Sequence, residues 1–205
     1  MLQEKVSFEI LVMDDNSTDG TIKLVQTLHA SLPQVRVVVR KKNRGLGNSI
    51  RDGVKIAQGS IIVGMDADFN HDPQTLPLLL HTLHHADLVV ASRFIQGGGT
   101  SNIFRQVPTY MIACVFRLLG MPIWDNTSGY YAIKKSTLEK LGIDRIYYGY
   151  GDYHLRLVAF AHKAGLQITE VPTFYKKRLG GVSKSKLLNM FYRYFLEVIR
   201  LQNMA

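Results

Sequence analysis

The chain has 205 residues, 46% hydrophobic and 20% charged: enough for one globular domain with a real core, too few for two comfortable ones. A net charge of +9 points to an anionic partner, whether nucleic acid, anionic lipid or a phosphorylated substrate. The single cysteine, Cys114, excludes an internal disulfide framework and fits a reducing compartment; the polar start does not read as a signal peptide, and no apolar run is long enough to span a bilayer.

Phe8 to Met13 reads as a buried strand ending in an acid-rich turn, Asp14 to Asp19, before a helix from about Thr21 to Ala30 capped by Thr18 or Asp19. Val35 to Val39 is a second strand. Arg40 to Gly47 is a basic loop with two glycines, expected to be solvated, and Asn48 to Ala57 is helical, closed by Gly59. The next strand, starting at Ile61, organises the chain. Its β-branched run stops at Asp66 and Asp68, with Ala67 between them. Residues i and i+2 of a strand share a side, so both carboxylates are expected to face one spot at the carboxyl end, where open α/β sheets place ligands. Two such carboxylates repel unless a cation lies between them, and a hard divalent ion there would also neutralise a diphosphate. An ordinary strand end and turn, with Asp72-Pro73 opening the next helix, accounts for the same residues without a metal.

A helix from about Pro73 to His85 and a strand from Asp87 to Ala91, ending at Ser92-Arg93, continue the alternation. The fold class is α/β with a largely parallel sheet. Gln96 to Thr100 is a glycine-rich loop. A mostly apolar helix follows from Ile103 to Leu119, with Pro108 inside it, and Trp124 to Gly129 is a turn before a strand from Tyr130 to Ile133. Then come a helix from Tyr153 to Ala164, a strand from Gln167 to Val171, a basic glycine loop from Arg178 to Lys184, and a last helix from Lys186 to Leu201. That helix carries one narrow polar stripe: Lys186, Asn189, Arg193, Glu197 and Arg200. So wide an apolar face fits a membrane interface, or packing on its own domain or on a second subunit. We therefore divide the chain into a main domain, 1–185, and an amphipathic helix, 186–205. Between Lys176 and Arg200 seven Lys or Arg face one Glu, beside apolar residues and without the interleaved aromatics of a nucleic-acid module. Lipid, not nucleic acid, is the expected partner.

Several motifs run in one family's order: Val12 to Thr21, Asn43 to Gly47, Met65 to Pro73, Ala91 to Phe94, Asp125 to Gly129, Glu170 to Pro172, and Arg178 through Lys184. The chain resembles the polyprenol-phosphate sugar transferases of the dolichyl-phosphate mannose synthase type, which are inverting, metal-dependent enzymes with the GT-A fold. The resemblance implies transfer of a sugar, mannose carried by GDP, from a nucleotide donor to a polyprenyl phosphate at the cytoplasmic face of a membrane. It implies Mg or Mn as cofactor, held by Asp66, Asp68 and Asn70. It implies donor contacts at Met13, Asp15, Asp66, Ala67 and Asp68, and phosphate contacts at Arg93, Arg178 and Lys184. Asp68, Arg93, Arg178 and Lys184 then carry the chemistry. The acceptor phosphate is already ionised, so no strong base is required and His71 reads as part of a turn. Asp125 either orients a reactant or caps its turn.

The resemblance departs in places. The family's opening strand, ending in Pro-Thr-Tyr-Asn-Glu, has no counterpart before the Asp14-Asp15 strand, so the domain reads as N-terminally truncated. Its sheet neighbours are expected to be exposed and nucleotide binding weakened. Tyr131 stands where the family often has arginine. A non-catalytic accessory protein at a membrane surface is the alternative reading.

Overall fold

The computed structural model describes residues 6–101, 103–176 and 187–204. Strands and helices alternate as expected: β1 (Ile10–Asp14), α1 (Thr21–Ser31), β2 (Val35–Val39), α2 (Leu46–Ile56), β3 (Ile61–Gly64), a 3-10 turn (Pro73–Thr75), α3 (Leu76–Thr82) and β4 (Leu88–Ser92). The second half holds β5 (Gly99–Thr100), α4 (Ile103–Leu118), β6 (Tyr131–Lys134), α5 (Lys135–Leu141), α6 (Ile143–Ile146), α7 (Tyr153–Lys163), β7 (Ile168–Pro172), β8 (Phe174–Tyr175) and α8 (Leu187–Asn203).

β4 is the central strand. All five of its residues are buried, and it pairs in parallel with β7 and antiparallel with β6. An apolar strand with both faces covered is what a helix-flanked sheet requires. β1 pairs in parallel with β2, β4 with β7 and the short β5 with β8, the direction expected of a largely parallel sheet. β6 is the exception: it runs antiparallel between β3 and β4 and makes the larger sheet mixed. β6 also explains Gly64, because a Cβ there would lie 2.4 Å from the ring of Tyr131 on the neighbouring strand.

The sheet is parted. β1 and β2 form one two-stranded sheet, and β3 ends the order β3-β6-β4-β7 of another. Among the described residues no strand is hydrogen-bonded to the second edge of β1. Ile10 and Ile61 are 47% and 41% exposed. Glu9 links the two sheets by accepting the amide hydrogen of Gly59 at 3.1 Å, in the turn before β3.

α8 packs one face inward. Tyr194, Val198 and Leu201 are buried in the main core, while Tyr192, Leu196 and Ile199 stay exposed. Glu197 departs from the outward stripe read in the sequence. Its carboxylate accepts from the buried Arg156 of α7 at 3.1 Å. No helix among the described residues is long and apolar enough to cross a membrane.

Candidate functional site

The strand β3 stops at Gly64, before the acids, so Asp66 and Asp68 lie on the bend beyond the strand. The alternation of sides nevertheless persists. Asp66, Asp68 and Asn70 are partly buried, while Met65, Ala67 and Phe69 point to solvent. Phe69 takes a left-handed backbone, φ 65°, which turns the chain back on itself. Asn70 then donates its backbone N–H to Asp68 at 3.1 Å and its side-chain amide at 3.0 Å. With both its N–H groups given to Asp68, Asn70 keeps its side-chain amide oxygen as an acceptor.

His71 braces this bend. Its Nδ1 accepts the backbone N–H of Asp66 at 2.9 Å, so Nε2 carries the proton and donates to the Ser128 carbonyl at 3.2 Å. The ring is stacked on Tyr130, with centroids 4.9 Å apart, and meets the edge of Tyr175 at the same distance. Burial lowers its pKa to about 4, leaving a neutral imidazole with both nitrogens engaged. Sequence reasoning missed this brace, because Ser128, Tyr130 and Tyr175 lie more than fifty residues downstream of His71.

On the other side of Tyr175 stands Arg93. Its guanidinium lies 4.5 Å from the Tyr175 ring and 4.9 Å from that of Phe94. Asp125, fully buried, binds it in a fork: Nε donates at 2.7 Å and Nη2 at 2.7 Å, while the Arg93 backbone N–H adds a third bond at 3.0 Å. Nη2 also donates to Thr127. Burial alone would raise the Asp125 pKa, but the Arg93 charge overrides it and holds the carboxyl below its usual range. Asp125 holds the Arg93 side chain and also accepts from Thr127 Oγ1 within its own turn at 3.4 Å. Glu170 in turn accepts the backbone N–H groups of Trp124 and Asp125, each at 2.9 Å. Asp66, His71, Tyr175, Arg93 and Asp125 thus form one contiguous group at the carboxyl ends of β3 and β4.

The β1 end contributes differently. The side chain of Met13 packs against α2, where a Cβ on Gly53 would touch its Cγ at 3.2 Å, so it faces the helix. Asp15 accepts the Gly45 N–H at 2.7 Å and pairs with Arg40. Arg40 is 6% exposed, donates to Asp52 at 2.9 Å and to the Asn43 carbonyl at 2.6 Å. The solvated loop expected at Arg40 is therefore anchored at its first residue, because two carboxylates converge on it. Gly47 is required at its position: a Cβ would lie 2.5 Å from the Tyr148 carbonyl oxygen. Arg178 and Lys184, and the basic loop that carries them, lie outside the described residues, as does Lys186.

A divalent cation fits these donors. Two carboxylates and an amide oxygen are hard ligands, and among the described residues no group of three or more His, Cys, Asp or Glu forms a full protein cage. Mg and Mn sites that share their ion with substrate phosphates are built from one or two carboxylates in this way.

Residues 2–142 match the family model described as glycosyl transferase family 2, and the chain belongs to that family. It is 30% identical over 203 residues to a dolichol-phosphate mannosyltransferase of Pyrococcus furiosus, an alignment covering 96% of this chain and 55% of the relative. It is 36% identical over 180 residues to an undecaprenyl-phosphate mannosyltransferase of Micrococcus luteus, covering 84% of this chain and 74% of the relative. Its fold matches that of glucosyl-3-phosphoglycerate synthase from Mycobacterium tuberculosis, crystallised with Mn2+, UDP-glucose and phosphoglyceric acid. The TM-score is 0.67 at 20% identity, over 95% of this chain and 69% of that one. The GT-A expectation is met.

Proposed function

We propose that the chain transfers a sugar, mannose, from a nucleoside diphosphate donor to a polyprenyl phosphate. The observation that carries this is the joining of the Asp66–Asp68–Asn70 bend to the Arg93–Asp125 pair through His71 and Tyr175, in a chain related to polyprenyl-phosphate mannosyltransferases. A divalent ion, Mg or Mn, would be held by Asp66, Asp68 and Asn70, and when bound it supplies positive charge to the leaving diphosphate. Asp15 and the Gly45–Gly47 turn line the nucleotide side, with Met13 behind them in the strand. Arg93 presents charge toward the acceptor phosphate, with Arg178 and Lys184 as its further cations.

In the reaction an oxygen of the acceptor phosphate forms a bond to the sugar's anomeric carbon. The bond from that carbon to the diphosphate breaks on the opposite face, so the configuration inverts. The nucleophile needs no deprotonation, which agrees with a His71 kept neutral by burial and engaged at both nitrogens. Exposed apolar residues on α4 and α8, among them Met111 at 64% and Tyr192 at 64%, support peripheral attachment to a membrane. The one cysteine fits its cytoplasmic face.

The test is transfer of labelled mannose from GDP-mannose to a polyprenyl phosphate in MnCl2. Asp68→Ala is expected to abolish it, and a fully active variant contradicts the metal role. The parted sheet favours one second reading, an accessory protein without turnover. That reading predicts no donor binding even with metal.

A further inference from the structure

Arg93 opens a ladder of rings that leads away from the site. Its guanidinium lies over Phe94; Phe94 meets Tyr110 edge-on with centroids 5.6 Å apart; Tyr110 stacks on Trp124 at 6.0 Å and 10°. Arg117 closes the far end, 5.5 Å from the Trp124 ring. The last two rings are open to solvent, Tyr110 at 43% and Trp124 at 36%. They lie beside Val107 and Met111 of α4, 59% and 64% exposed. The ladder is tied to the site. Trp124 precedes Asp125, the carboxylate that holds Arg93, and Glu170 fixes the backbone of both. Rings that only filled a core would be covered, and rings that only met lipid would not lead to a buried charge pair.

We propose that Phe94, Tyr110 and Trp124 form the track that receives the isoprene units next to the phosphate of a polyprenyl acceptor. The proposal rests on the transferase reading and specifies how its acceptor is recognised. The ladder has a cation at each end; Arg93 is the one at the site, and the polarisable rings between it and Arg117, with the apolar face of α4 beside them, match a ligand with an anionic head and a flat, unsaturated, methyl-branched tail. Three successive rings set in line suit a linear chain. The exposed apolar face of α4 continues the path toward the membrane.

Trp124 is the only tryptophan in the chain, so its fluorescence reports on the ladder without any turnover. Farnesyl phosphate, titrated into the full chain below its micelle concentration, is expected to give a saturable blue shift. Tyr110→Leu and Phe94→Leu, each checked for fold by circular dichroism, are expected to weaken that binding by about tenfold. Four results would overturn the proposal: no shift, an equal shift with inorganic phosphate or with GDP-mannose alone, an equal shift with phosphatidylglycerol vesicles free of prenyl phosphate, or unchanged affinity in both variants. Saturable farnesyl phosphate binding without mannosyl transfer would support the track and reject the transfer reaction, so the two failures are distinguishable.

Discussion

Asp125 and Arg93 form a buried ion pair at the carboxyl end of β4, the pair to which we assign the acceptor phosphate. Asp125→Ala leaves a guanidinium with 14% of its side chain exposed and no carboxylate beside it. Breaking a buried pair from one side typically costs about 3–5 kcal/mol. Urea unfolding is expected to show a loss of that order, and a loss under 1 kcal/mol would mean that solvent or Thr127 already satisfies Arg93. His154 makes a second prediction. It is fully buried, its Nδ1–H donates to the Asn126 carbonyl at 2.9 Å, and burial lowers its pKa to about 4. The unfolded chain takes up the proton near 6.5, so it binds more protons than the native state between pH 6.5 and 4. Stability is therefore complete above 6.5 and falls as the pH drops toward 4, by about 1.4 kcal/mol per pH unit for this one group. His71, with the same lowered pKa, adds a slope of the same sign, so His154→Leu is expected to reduce the total in unfolding titrations by its own share; an unchanged slope would show that His154 contributes none of it.

Among the elements, α8 shows how a sequence pattern can mislead. Glu197 falls on the polar stripe, yet it turns inward because Arg156 waits beneath it on α7. Arg156 is 1% exposed, donates to Asp152 at 2.9 Å and to the Ile146 carbonyl at 2.8 Å, and lies 3.5 Å from the Tyr148 ring. It fastens α8 to the segment that seats Gly47. Arg156→Met removes the fastening but keeps the volume. Hydrogen exchange in α8 is expected to quicken at least tenfold while that of β4 is unchanged. Equal protection in α8 would show that Tyr194, Val198 and Leu201 suffice to hold the helix. Local signals located β4, from its unbroken apolar run, and the acids at the end of β3, from residue type and place. The partners of Arg93, His71 and Arg40 were not legible. The distant pairings, Arg93 with Asp125, His71 with Ser128 and Arg40 with Asp15, close across the fold between residues whose spacing in the chain carries no period. The direction of β6 was hidden for the same reason: a four-residue strand carries no mark of its orientation.

Among the described residues the strands form three sheets, β1–β2, β3-β6-β4-β7 and the short β5–β8 pair, and the donor site we propose is divided between the first two. Asp15 and the Gly45–Gly47 turn belong to the β1–β2 side, Asp66 and Arg93 to the larger sheet. A nucleotide sugar would touch both and add a link to those made by Glu9 and by Lys55 with Asp144. Calorimetric titration of GDP-mannose into the full chain tests this most directly, run in MnCl2, again in EDTA, and again with Asp68→Ala. Saturable binding in the first, lost in the other two, is the expected result. Binding of equal strength in all three, or none in the first, would contradict a metal-held diphosphate at the Asp66–Asp68 bend.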